Sequence, residues 1–109
     1  MTTVHDIAAA VSTAEMVSRE LDEDAVGLWK IAWHLRRALP SATATHVQEL
    51  AEGVLRGLRA TSVLVGDLDD FGAFQEWDPD RSIDEVMARW RQLGRDPNIG
   101  EVAWLVRRR

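Results

Sequence analysis

Cysteine is absent from the sequence, which rules out disulfides, a thiol nucleophile and any thiolate metal site. Tyrosine is absent too, and only three prolines interrupt the chain. No apolar run approaches the roughly 20 residues that a membrane span needs. The opening MTTVHDIAAAVSTAEM has no basic stretch and carries Asp6 early, so no signal peptide is expected. Together these absences point to a cytoplasmic protein with no membrane partner.

What is present is ordinary globular material: 46% apolar and 28% charged residues, which argues against disorder. At 109 residues the expectation is a single domain, 1–109, with one core. Net charge is −5, and its distribution is uneven. Residues 1–24 hold six acids against Arg19, and residues 62–85 hold eight acids against Arg81. Positive charge gathers at 25–39, in Lys30, Arg36 and Arg37, and again at the C-terminus. Acidic segments of this kind steer a chain toward a basic partner or toward its own basic parts.

Helical periodicity opens at residue 4. Val4, Ile7, Val11, Ala14, Val17 and Leu21 fall on one stripe of a first helix, leaving Ser12, Glu15, Ser18 and Arg19 to solvent. Asp24 is positioned to cap a second helix from Ala25 to about Ala38, which Pro40 stops. Its inner face is Leu28, Ile31, Ala32, Leu35 and Leu39, with Val26, Trp29 and Trp33 on a second apolar sector. The pair Trp29 and Trp33 is expected in the core, an exposed aromatic patch for a partner being the alternative, and His34 on the wet side beside Lys30 and Arg37.

Thr45 and Gln48 fit a capping box. Behind them Val47, Leu50, Ala51, Val54, Leu55 and Leu58 give the strongest periodic signal in the chain, interrupted only by Gly53 and Gly57. A short β-rich run, Ser62–Val65, is closed by Gly66-Asp67; turn residues follow, and Ala73–Trp77 returns as a partner strand. Ser82 and Glu85 suggest a second capping box, opening a helix on Ile83, Val86, Met87, Trp90 and Leu93 that ends at Gly94. A last strand around Val102, Trp104 and Val106 is expected to join the hairpin as a third member, ahead of a frayed Arg107-Arg108-Arg109.

This order, over residues 4–77, resembles the winged helix-turn-helix superfamily in the succession and spacing of its elements. The helix and strand at 82–106 are additions to that pattern. The resemblance implies an α+β fold: a winged-helix-like three-helix core, a small antiparallel sheet and an added fourth helix. It also implies a recognition helix at Thr45–Arg59 and a wing tip at Gly66–Gly72. The side chains disfavour DNA. The helix presents a mixed set, His46, Gln48, Glu49, Glu52, Arg56 and Arg59, and the wing tip carries Asp67, Asp69 and Asp70. Each such charge near a phosphate is repelled by about 1 kcal/mol at 4 Å in water, and more beside a low-dielectric surface.

Other chemistry finds little footing. Asp67, Asp69, Asp70, Asp78 and Asp80 do not have the spacing of an EF-hand, and turn formation accounts for them. His5, His34 and His46 lie in three separate segments without ligand spacing, and a pair such as Glu76 with His46 has nothing to single it out. No metal, no cofactor and no enzymatic activity is expected. The function expected is a protein-interaction or regulatory module built on Asp67, Asp69, Asp70, Phe71 and Trp77, for aromatic rings beside carboxylates suit a basic, apolar-stemmed partner. A second copy of the chain is the other partner considered, and a winged-helix DNA-binding regulator the alternative function.

Overall fold

The structure, a computed structural model, describes residues 3–108; Arg109, part of the expected frayed end, lies outside them. Helix α1 spans Val4–Leu21 and starts on a capping box. Thr3 Oγ1 accepts the Asp6 N–H at 3.1 Å while Asp6 accepts the Thr3 N–H at 2.9 Å. The buried stripe of α1 is Asp6, Ala9, Thr13, Val17 and Leu21. Val17 and Leu21 lie where the periodicity put them, but Val4, Ile7 and Val11 face outward. Ala9 and Thr13 are small enough for α2 and α3 to approach closely, and Asp6 gains a partner on that side, so the i, i+4 stripe is turned inward.

The next segment departs from the expected helix start. Val26–Gly27 is a strand, β1, and α2 runs only from Trp29 to Ala38. Val26 and Gly27 pair with Leu105 and Trp104, and the Leu28 N–H donates to the Ala103 carbonyl at 3.0 Å. Sheet pairing takes these backbone groups before a helix can. Asp24 therefore caps nothing; its carboxylate accepts the neighbouring Ala25 N–H, and Leu28 holds the cap position without a side-chain bond. Leu28, Ile31, Ala32 and Leu35 are buried as expected. Trp33 is 42% exposed and Trp29 half-buried, a correction to their placement in the core, which takes Trp90 instead. Lys30 and Arg37 lie over the two indoles, at 4.7–5.3 Å from the ring centroids. His34 is buried rather than wet.

Helix α3 spans Ala44–Arg59 with its six periodic apolar residues all buried. Its cap is Thr43, not Thr45: Thr43 Oγ1 accepts the His46 N–H at 3.1 Å. That start places His46 in the first turn, its Nε2 2.9 Å from Asp6 Oδ1, which ties the beginnings of α1 and α3 together. Arg36 bridges the α2–α3 turn to the later chain, donating to the Ala42 carbonyl and pairing with Asp96.

Strand β2 is Val63–Leu68, longer than expected because Gly66, Asp67 and Leu68 pair across to β3, Phe74–Glu76. Helix α4, Ser82–Leu93, ends at Gly94 in the left-handed region, φ +73°. The second capping box does not form. Ser82 is the first helical residue, buried, donating to the Pro79 carbonyl and accepting from Arg59, while Glu85 pairs with Arg89. Strand β4, Trp104–Arg107, pairs with β2 as expected and with β1 besides, giving an antiparallel sheet in the order β1-β4-β2-β3. The three-helix group α1–α3 and α4 supply one buried cluster together with Val26, Val63, Val65, Ala103 and Leu105 from the sheet side. The fold is thus α+β, four helices and a small antiparallel sheet.

Gly66 sits where β3 bends across β2, and a Cβ there would lie 2.0 Å from the Gln75 carbonyl oxygen. Gly66→Ala is expected to lower stability by about 1–3 kcal/mol through overpacking against backbone. Gly53 has open space around it in mid-helix, and Gly53→Ala is expected to raise stability by about 0.5–1 kcal/mol. Denaturant unfolding of the two variants checks both signs.

Candidate functional site

Cross-strand partners share a face of the sheet, so the register of β2, β3 and β4 puts Leu64, Leu68, Phe74, Trp104 and Val106 together on the side opposite the buried Val63, Val65 and Leu105. All five are half-buried, so the sheet keeps an apolar, partly open outer face. Gly27 extends it: the closeness of Trp29 (2.6 Å to a Cβ built at Gly27) and Trp104 (3.6 Å) shows that two indoles flank a position only glycine fits without a shift.

Two depressions lie along this face. One, about 430 Å³, is lined by Trp29 and Trp104 with Glu20, Glu23, Asp24 and Lys30, over Gly27. The other, about 240 Å³, is lined by Glu23, Asp24 and Arg107 together with Leu68, Phe74 and Val106, and reaches Gly72 of the hairpin. They share Glu23, Asp24 and Ala25, and so form one groove running from the indoles to the hairpin tip. Acids of the first segment, Glu23 and Asp24, thus lie beside the apolar Leu68 and Phe74 of the hairpin.

The residues singled out from the sequence divide into two groups. Asp69 shapes the hairpin turn, accepting the N–H groups of Phe71 and Ala73 at 2.9 and 2.8 Å. That turn presents Asp70 and a Phe71 that is 97% exposed. Asp67 and Trp77 face the other way. Asp67 accepts the indole N–H of Trp77 at 2.7 Å, and the Arg89 guanidinium covers the ring at 4.3 Å from its centroid. Trp77 is half-buried against the core, engaged within the molecule. Among the described residues, none of Glu23, Asp24, Asp67, Asp69 or Asp70 forms an ion pair. Asp22, by contrast, pairs with Arg107, and Glu20 with Lys30.

Glu23, Asp24 and Trp104 did not stand out as site residues in the sequence, and Trp29 did so only as the less favoured reading of its pair with Trp33. Their one legible signal was the acidic excess of residues 1–24; β1, the strand that carries that segment to the sheet, is two residues long.

Asp6 and His46 form the other arrangement with chemical potential, beside a depression of about 280 Å³ that Ser41 also lines. Both Asp6 oxygens are occupied, by Thr3 and by His46, and no hydrogen bond links Ser41 to the ring. Without a nucleophile in place, the pair acts as a tie between helices. Among the described residues no three His, Cys, Asp or Glu side chains gather as a metal site would require, and no helix is long and apolar enough to cross a membrane.

Fold and groove together define a small α+β domain with an acidic, aromatic open sheet face. No protein-family model, no curated protein and no solved structure matches the chain.

The Asp6–His46 tie has a pH signature. The hydrogen bond from His46, and after it the Thr3 N–H, hold the Asp6 carboxyl below its ordinary value of 3.8. Glu101, bonded by Arg95 and then by the Asn98 N–H, is held at about 2, down from 4.5. Both carboxyls are more acidic folded than unfolded. Their stabilisation is therefore complete above about pH 4.5 and disappears as pH falls through the folded values. Asp6→Asn is expected to lower the melting temperature at neutral pH and to reduce its fall between about pH 4 and pH 2. Melting curves across that range check it; an unchanged acid limb would contradict the tie.

Proposed function

We propose that this chain is a non-enzymatic protein-interaction module that holds a basic, apolar-stemmed segment of a partner protein in the groove between the α1–β1 loop and the hairpin tip. The observation that carries the proposal is that Glu23 and Asp24, which form no ion pair among the described residues, line one groove with the apolar Leu68, Phe74 and Trp104, while the groove's two cations, Lys30 and Arg107, are held by Glu20 and Asp22. Gathering like charges costs stability unless a ligand of opposite sign relieves it. Lysine and arginine side chains supply that relief, their stems lying on Leu68, Phe74 and Trp104 while their heads meet the carboxylates. The lack of cysteine fits a cytoplasmic setting.

A winged-helix DNA-binding regulator is the second reading. It is supported by the succession of α1, α2 and α3 followed by a hairpin. Its difficulty is charge: the hairpin tip is acidic, and on the outer face of α3 Arg56 is already engaged by Glu52 and Asp84.

A peptide of alternating arginine and leucine, titrated against the protein by tryptophan fluorescence, tests the proposal. Binding that weakens with added salt is expected, as is a loss of about tenfold in affinity for the triple variant Glu23→Gln, Asp24→Asn, Asp70→Asn. No binding at low salt, or equal binding by the variant, would remove the groove from consideration. Retarded migration of duplex DNA with a steep salt dependence would favour the regulator instead.

A further inference from the structure

Helix α1 carries a second apolar stripe that the fold leaves uncovered. Val4, Ile7 and Val11 are 81%, 55% and 53% exposed, at i, i+3, i+7 spacing, on the side away from Ala9, Thr13 and Val17. Scattered apolar residues on a surface need no explanation, but three in helical register make a patch. Further along the same face the surface is hollow. A depression of about 440 Å³ lies between the second half of α1 and the end of α3, its floor at Ala14, Gly57 and Leu58 and its α1 edge carrying Glu15, Ser18 and Arg19. Gly57 leaves its floor open, since a Cβ there would meet nothing within 4 Å.

We propose that α1 is the interface of a two-fold homodimer in which Val4 and Ile7 of each chain seat in the α1–α3 depression of the other. The helix face is self-complementary. A two-fold interface uses the same patch on both subunits, so that patch must carry both the projection and its socket; α1 has one in each half. With the helices antiparallel and the axis at Val11, positions equidistant from Val11 face each other. Ile7 then meets Ala14 and Glu15 of the second copy, Val4 meets Ser18, and Val11 meets Val11.

Charge allows this register. Glu15 falls opposite Ile7 and Arg19 opposite Thr3, so no like charges face each other, and the two Glu15 side chains stand about 12 Å apart along the axis. One helix face with the flank of α3 lies at the small end of specific interfaces, below about 1,200 Å² in total, so association is weak and concentration-dependent.

Sedimentation equilibrium from about 10 μM to 1 mM tests the proposal, in the concentration range where an interface of this size assembles. The wild-type chain is expected to pass from monomer to dimer. Ile7→Glu with Val11→Glu should remain monomeric throughout with an unchanged melting temperature, since both positions are exposed. Gly57→Leu, which fills the depression and leaves the stripe intact, should weaken the dimer by about tenfold or more. Because the chain has no cysteine, Val11→Cys supplies a single thiol on the axis and should cross-link under mild oxidation, whereas Thr45→Cys on α3 should not. A wild-type monomer at 1 mM, a dimer that survives the double glutamate substitution, or equal cross-linking at Thr45 would overturn the assignment and leave the stripe to another occupant.

Discussion

Strand β4 is the element on which the rest of the sheet depends. Among the described residues it is the only strand that pairs on both sides with partners far away in sequence, joining Val26-Gly27 on one edge and Val63–Gly66 on the other. Backbone groups buried in a small domain must find partners, and β4 satisfies both neighbours at once. Removing it would leave β1 without a ladder and would uncover the sheet side of the core at Val26 and Val65. The same pairing brings the α1–β1 loop alongside the hairpin, so a backbone constraint determines where the carboxylates collect.

That placement works against the electrostatics. A chain with net charge −5 could spread its acids or neutralise them locally, and in several places it does: Asp22 takes Arg107, Asp96 takes Arg36, Glu101 takes Arg95. Along the groove it does so only in part: Lys30 is held by Glu20 over the Trp29 and Trp33 rings and Arg107 by Ser18 and Asp22, and neither pairs with Glu23 or Asp24. Surface charges of one sign around an apolar floor contribute little to stability by themselves, which is why the proposed role is sought in what they attract.

How far the sequence revealed this depended on the range of each interaction. The six-residue apolar pattern of α3 and the Gly94 stop of α4 were legible because local periodicity and local backbone conformation decide them. The inward turn of α1 was not. Its two stripes, Val4-Ile7-Val11 and Ala9-Thr13-Val17, are both good helical patterns, and the choice rests on Asp6 meeting His46 on another helix. Strand β1 was hidden for the same reason: two residues have no periodicity, and Val26-Gly27 read naturally as the first turn of α2. For the site, the aspartates of the hairpin were visible as turn residues. That Asp67 turns back to Trp77 while Glu23 and Asp24 complete the groove follows from register, which sequence spacing does not carry.

The central claim is that the open sheet face and its carboxylate rim recruit a cationic chain. Backbone amide shifts recorded while the arginine–leucine peptide is added would locate its contact directly. The account predicts changes concentrated at residues 23–27, 68–74 and 104–106, along both walls of the groove. Changes confined to the outer face of α3, or none at saturating peptide, would contradict it.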